Sequence, residues 1–306
     1  MEFFAARHPC LLESLPTMAR IPDAHGLQFL GVTFVDHPRA GYLSFCEKVP
    51  SGEAADPNYN STVLVSHGLA DQLATSWPAA RLLRVDDPRA TFIDTLEYLQ
   101  RNDLLGTSSL LPEAPTISPH AQIGTGAIVQ PGTRVDAGVT IGCGAVIRAG
   151  TWLRRGATIG ENCVIGGIGI NAYVGKDGRR RGFPHVASVI VRENVSLGAG
   201  CVVVRGILTS TQIGANSIIG NLCNIGHGVE IGDNVWISVG TMVGGHARIG
   251  TGATIAMSCA IRDNTVIGSR ANVGMGSVVT KHVHADTSVF GNPARACLPL
   301  RAGPVR

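Results

Sequence analysis

Large aliphatic residues recur at every sixth position over most of this chain. They fall at Ile117, Ile123, Val129, Val135, Ile141, Ile147, Leu153, Ile159 and Ile165, and they return at Val191, Leu197 and Val203. From Ile207 the beat runs on, two residues out of step, to Val279. Four residues after each aliphatic stands a mostly small residue, as at Ala121, Ala127, Ala145 and Cys163. A period of six matches neither an amphipathic helix nor a half-buried strand. It is the period of a hexapeptide parallel β-helix, in which three short strands make each coil and the aliphatic and small residues point inward. The expected fold class is therefore mainly β, with roughly eight coils stacked at about 4.8 Å each. The 39 glycines suit its many tight corners.

Composition narrows the remaining classes. A net charge of +3 gives no reason to expect a nucleic-acid partner. No apolar run reaches the length of a membrane span, and the first residues lack a basic segment followed by an apolar one, so a cytoplasmic, soluble protein is expected. The cysteines form no Cys-x-x-Cys pair, which argues against a zinc knuckle, and no metal site is expected. Cys163, Cys201, Cys223 and Cys259 fall in the inward slot for small residues and read as buried core.

Residues 1–112 lack the beat and read as a small α/β domain. Strands are expected over Gly26–Val35, Gly41–Phe45, Thr62–Ser66 and Leu82–Val85, with a loop from Gly52 to Asn60. Asp87-Pro88 opens a helix, Asp as N-cap and Pro at its first position, with Phe92, Leu96 and Leu99 as the buried stripe. Leu110 to Pro119 reads as a linker. The β-helix domain then spans 113–296, interrupted by an insertion over 166–188, and 297–306 form a short tail. The insertion carries Arg179, Arg180 and Arg181 after a Gly175-Lys176-Asp177-Gly178 turn. These arginines are either a solvated hairpin tip or a clamp for the phosphates of a ligand.

The whole chain resembles the UDP-3-O-acylglucosamine N-acyltransferase family of the lipid A pathway, which are left-handed β-helix hexapeptide transferases. The resemblance rests on Gly31-Val32 with Gly41-Tyr42-Leu43-Ser44-Phe45, and on Val85-Asp86-Asp87-Pro88-Arg89 before a helix. It rests equally on Pro184-His185-Val186-Ala187-Ser188-Val189 closing the insertion, on the slip around Val203 to Leu208, and on Asn221-Leu222-Cys223-Asn224-Ile225-Gly226-His227. It implies left-handedness, a possibly uridine-binding first domain using Phe45, and a catalytic role for His227. The sequence also departs from the family. Gly220 stands where an Asp is usual, Thr209-Ser210-Thr211 replaces an acidic run, and Cys46-Glu47-Lys48-Val49 stands in place of Asn-Pro-x-Tyr, of which Asp56-Pro57-Asn58-Tyr59 is a displaced candidate. Gly291-Asn292-Pro293-Ala294 is similar to the ending of coenzyme A-dependent hexapeptide transferases. The expectation is a paralogue that acylates the amine of another nucleotide-linked amino sugar.

Acyl transfer from a thioester to an amine needs a base for the amine proton and donors for the tetrahedral oxyanion. His227 lies two residues after its beat aliphatic, at an outward corner. One coil is 18 residues, so Gly245 stacks beside it and offers a backbone N–H as oxyanion donor. The acid that orients the imidazole is left open between Glu230, Asp233 and a neighbouring subunit. Asn221, Asn224, His185, His246 and Arg179 to Arg181 are the other candidate substrate contacts, and Met275 and Asn292 the candidate contacts of the acyl donor. That donor is acyl-CoA or acyl carrier protein, with no tightly bound cofactor. A homotrimer is expected, with Trp236 and Met242 as outward contacts. Two other readings stand beside this one: a non-catalytic sugar-nucleotide-binding scaffold, and a zinc enzyme of the carbonic anhydrase type using His185, His227 and His246.

Overall fold

A computed structural model describes residues 3–33, 35, 39–49, 61–108 and 116–296. The expected loop Gly52–Asn60, with Asp56-Pro57-Asn58-Tyr59, lies outside the described residues, as do the tail 297–306 and most of the linker. The chain divides into two compact units. The first is Met1–Leu110 with Ile170–Val186, and the second is Leu111–Gly169 with Ala187–Arg306. Most of the expected insertion therefore belongs to the first unit and not to the β-helix that it interrupts.

The first unit is a six-stranded mixed sheet with two helices. Its strands are β1 (Phe3–Leu11), β2 (Gln28–Thr33), β3 (Tyr42–Phe45), β4 (Thr62–Val65), β5 (Arg81–Arg84) and β6 (Leu105–Ser108), in the order β5-β4-β3-β2-β1-β6. The four expected strands are present. β1 lies outside the expected strands, because Pro9 and the polar Arg7 and His8 break its pattern. It tolerates the proline through a register shift between Ala5 and Cys10, where no ladder N–H is needed. Helix α1 (His67–Ser76) is likewise new; it buries Leu69, Ala70 and Leu73. Helix α2 (Pro88–Arg101) starts as expected, with the Ala90 N–H donating to Asp87 Oδ1 at 3.0 Å. Phe92, Leu96 and Leu99 are buried along it, together with Ile93. Each such side chain contributes about 1.5–3 kcal/mol by leaving water.

The inserted segment is an antiparallel hairpin, Ala172–Val174 against Arg180–Gly182. Its chemistry fastens it to α2. The Arg181 guanidinium forks onto Asp94 at 2.7 and 3.1 Å and onto Asp177 at 2.8 Å twice. Tyr173 Oη and the Lys176 N–H both donate to the Asp87 carboxylate. Phe183 completes an aromatic cluster with Phe45 and Phe92.

The second unit is the expected hexapeptide β-helix, with three sheets of ten, eight and seven strands, parallel throughout except that the terminal Arg295–Ala296 runs antiparallel to Ser288–Phe290. Sheet one begins with Gln122–Ile123, sheet two with Ile128–Val129 and sheet three with Arg134–Val135. Beat aliphatics stack on one another in register, as Ile147 on Ile165, Val203, Ile225 and Val243 do. Cys163, Cys201, Cys223 and Cys259 are buried in the small-residue slot. Backbone N–H groups reach carbonyls on the next coil, as Gly124 does Ile141 at 2.8 Å, so the polar main chain is satisfied along the axis. Many corners turn through left-handed residues such as Asn162, Asn216 and Asn234, whose short amide side chains tolerate φ near +56°.

The two-residue slip has a different physical form from the one the beat suggested. Val203 sits in a sheet-two strand and Ile213 in the next sheet-three strand, so Ile207 begins no strand of its own. One corner is lengthened, and Ile207 and Leu208 are buried within it. The insertion leaves at the same corner, one coil earlier.

Candidate functional site

That corner, between sheets two and three, carries most of the chemistry. Coil after coil it presents Arg148, the point where the insertion leaves, Arg205, His227, His246 and Asp263. His227 follows the sheet-two strand Asn224–Ile225 and precedes the sheet-three strand Glu230–Ile231. The His246 N–H donates to the His227 carbonyl at 2.8 Å, and the Asn264 N–H to that of Gly245 at 2.9 Å, which fixes the stacking.

The His227 ring is half-buried and lies against Gly245. A Cβ added at Gly245 would sit 2.5 Å from both Cε1 and Nε2 of the imidazole. Only a residue without a side chain lets the ring occupy this place. No acceptor among the described residues takes the Gly245 N–H. The His246 ring meets His227 edge-on, with centroids 4.8 Å apart, and His246 itself sits at φ +56°. Burial, and then the neighbouring His246, hold the His227 pKa below its usual value, while Asp263 pulls it upward. The imidazole is therefore neutral at physiological pH and able to accept a proton.

Asp263, which is not among the sequence candidates, is the carboxylate whose charge acts on His227 within this chain. The candidates Glu230 and Asp233 line a separate groove of about 540 Å³ on sheet three, with Arg192, Gln212 and Arg248. Asp263 instead stands two 18-residue steps beyond His227, and the step that located Gly245 would have found it on repetition. Its carboxylate accepts from Asn264 Nδ2 at 3.1 Å.

The other candidates are dispersed. Asn224 points outward from sheet two on the His227 coil, half-buried. Asn221 lies on the other corner, between sheets one and two, where its Oδ1 accepts from the Ala199 N–H at 3.0 Å. Val239, Met257 and Met275 stack above it at 18-residue steps, all exposed. Asn292 is exposed at the C-terminal end and precedes a cis peptide to Pro293. Within one chain, then, Asn221 and Met275 do not share a corner with His227. Phe45 and His185 belong to the first unit. Phe45 is packed against Phe92, at 5.0 Å between centroids, and Phe183, with Arg89 over its ring, and His185 is buried. Arg179 and Arg180 are exposed, whereas Arg181 is committed to Asp94 and Asp177 and its pKa is raised by them. The phosphate-clamp expectation thus passes to Arg179 and Arg180 alone. Among the described residues no three His, Cys, Asp or Glu side chains are grouped to hold a metal ion, and no helix is long and apolar enough to cross a membrane.

No family model matches the chain. It is 43% identical over 72 residues to UDP-3-O-acylglucosamine N-acyltransferase of Maricaulis maris (strain MCS10), a stretch that covers 24% of this chain and 21% of that protein. The protein of the same name from Caulobacter vibrioides (strain NA1000 / CB15N) is 41% identical over 71 residues, or 23% and 21% of the two chains. The chain therefore matches about a fifth of the length of these relatives, and over that stretch it is related to them. Among solved structures, UDP-N-acetylglucosamine acyltransferase from Campylobacter jejuni superposes with a TM-score of 0.50 at 18% identity, over 61% of this chain and 73% of that one. This likeness shows the fold, a left-handed parallel β-helix.

Proposed function

We propose that the protein is a hexapeptide-repeat N-acyltransferase that moves an acyl group from a thioester, of coenzyme A or of acyl carrier protein, to the amine of a nucleotide-linked amino sugar. The observation that carries this reading is the His227 imidazole, held neutral against the side-chain-free backbone of Gly245. The acceptor nitrogen attacks the thioester carbonyl and its proton passes to the His227 ring. The Gly245 N–H donates to the oxyanion of the tetrahedral intermediate. Collapse breaks the carbon–sulfur bond, and the departing thiolate takes the proton back from His227. The relatives' names support a UDP-amino sugar as the substrate class, and in this reading the first unit, with Phe45, holds its base.

In this reading the enzyme works as a cytoplasmic homotrimer. One corner of the β-helix holds His227 and a different corner holds Met257, Met275 and Asn221. A neighbouring copy that sets its second corner against the first copy's His227 would bring both halves together. The test is a thiol-release assay with acyl-CoA, or acyl carrier protein, and UDP-amino sugars. His227→Ala should lower kcat by roughly 10²–10⁴-fold with little change in KM, because general-base catalysis acts only on the way to the transition state. A variant that keeps its oligomeric state and melting temperature and loses less than about threefold would remove His227 from the reaction. A wild-type protein that binds the sugar nucleotide and releases no thiol would instead be a binding scaffold.

A further inference from the structure

Arg148 and Arg205 stand on either side of one coil, at the corner where the insertion leaves. The Arg148 N–H donates to Ile165 on that middle coil, and the Arg205 N–H to Gly167 on the same coil. The middle coil turns its corner through Gly166 and Gly167, and a Cβ on Gly167 would meet nothing nearer than Val164 Cγ1 at 3.5 Å. The middle coil therefore places no side chain of its own at this turn between the Arg148 and Arg205 coils. Arg205 fixes its orientation by donating from Nε to the Ala187 carbonyl at 2.8 Å. Its Nη2 fills the space beside Gly150, where a Cβ would overlap it.

Neither arginine is paired with a carboxylate among the described residues. Two hydroxyls complete the cluster. Thr151 Oγ1 and Ser188 Oγ are buried and make no hydrogen bond among the described residues. Ser188 Oγ would lie 3.9 Å from a Cβ on Gly150, and Thr151 Oγ1 2.6 Å from one on Gly166. Burial, and then the charge of Arg148, pull the Arg205 pKa below its ordinary value, so the two like charges act on each other in a partly desolvated place. Such a pair is costly unless an anion compensates it. Arg forks and hydroxyl donors together match the several acceptor oxygens of a tetrahedral oxyanion better than they match a halide.

We propose that the corner formed by Arg148, Thr151, Ser188 and Arg205 is a binding site for a phosphate group, either the free ion or the phosphate of a nucleotide. Arg205 holds the position, two residues past its beat aliphatic, that His227 holds on the following coil. The site lies at the same corner as His227, with Arg205 one coil before it; its test reads binding and not turnover, so its failure leaves the acyl-transfer reading untouched.

The test is isothermal titration calorimetry of the full-length protein with inorganic phosphate in a phosphate-free, low-chloride buffer. One saturable site per chain is expected. Arg148→Gln should weaken it by roughly ten- to a hundredfold, the loss expected when a charge-assisted hydrogen bond is removed. Arg155→Gln, at an exposed corner of the same β-helix, should leave it unchanged. Ser188→Ala guards against loss of folding at Arg148, and it too should weaken binding. Displacement of phosphate by a nucleoside 5′-monophosphate at lower concentration would assign the site to a nucleotide, and equal or weaker displacement to the free ion. No saturable heat with phosphate, or the same affinity in Arg148→Gln as in wild type, would overturn the proposal.

Discussion

At the scale of single residues, the chemistry turns on what lies against one imidazole. Gly245→Ala adds a methyl group where His227 Cε1 and Nε2 now sit, so the ring must leave its place. We expect kcat to fall by at least about tenfold while the circular dichroism spectrum is unchanged; full activity in this variant would mean that the ring need not rest there. Asp263 raises the His227 pKa, so Asp263→Asn should lower it further. The acid limb of the kcat profile would then move to lower pH, and a limb that stays in place would take Asp263 out of the site. The same shift bears on stability. Because the folded pKa lies below the unfolded value of about 6.5, the neutral ring is favoured in the folded state. That contribution is complete above about pH 6.5 and fades as pH falls through the folded pKa.

At the scale of elements, the insertion hairpin depends on one side chain. Arg181 is mostly buried and makes four charge-assisted bonds to two carboxylates, one on α2 and one in the hairpin's own turn. Removing Arg181 leaves Asp94 and Asp177 without their cation, and the hairpin then opens more often. Arg179 and Arg180 are already exposed, so trypsin reports on that opening. Arg181→Ala should be cut within 179–180 several-fold faster than wild type, whereas Arg180→Ala should not speed cutting at Arg179. Equal cleavage rates in Arg181→Ala and wild type would show that Phe183 and Tyr173 hold the hairpin without it.

At the scale of the whole molecule, the second unit displays more apolar surface than a solitary β-helix needs. Ile218 and Trp236 stack on sheet one, Met242 projects from sheet two, and Leu222, Val239, Met257 and Met275 occupy the corner between them, each at least two-fifths exposed. A contiguous patch of this kind marks an interaction surface. Light scattering at micromolar concentration should give three times the mass of one chain. Trp236→Glu should shift that mass toward the monomer, since a charge at the centre of an apolar interface loses its hydration without a partner. A wild-type monomer would leave the two corners of the proposed active site unjoined.

The β-helix was legible because its period is local. Each hexad carries its own inward aliphatic, and no long-range information is needed to know that Ile219 and Ile237 point to one core. The Gly245–His227 pairing was legible for the same reason, since stacking repeats every 18 residues. The α2 cap was legible because Asp87 and Pro88 act on the N–H groups beside them. Only the tertiary structure decided the rest. Arg181 reads as a free cation until Asp94, 87 positions away, is brought to it. Arg148 and Arg205 read as ordinary surface residues until the insertion between them is folded out and their coils stand on either side of Gly166 and Gly167. A periodic sequence states where each coil lies, but an interruption of that period hides which residues its two ends bring together.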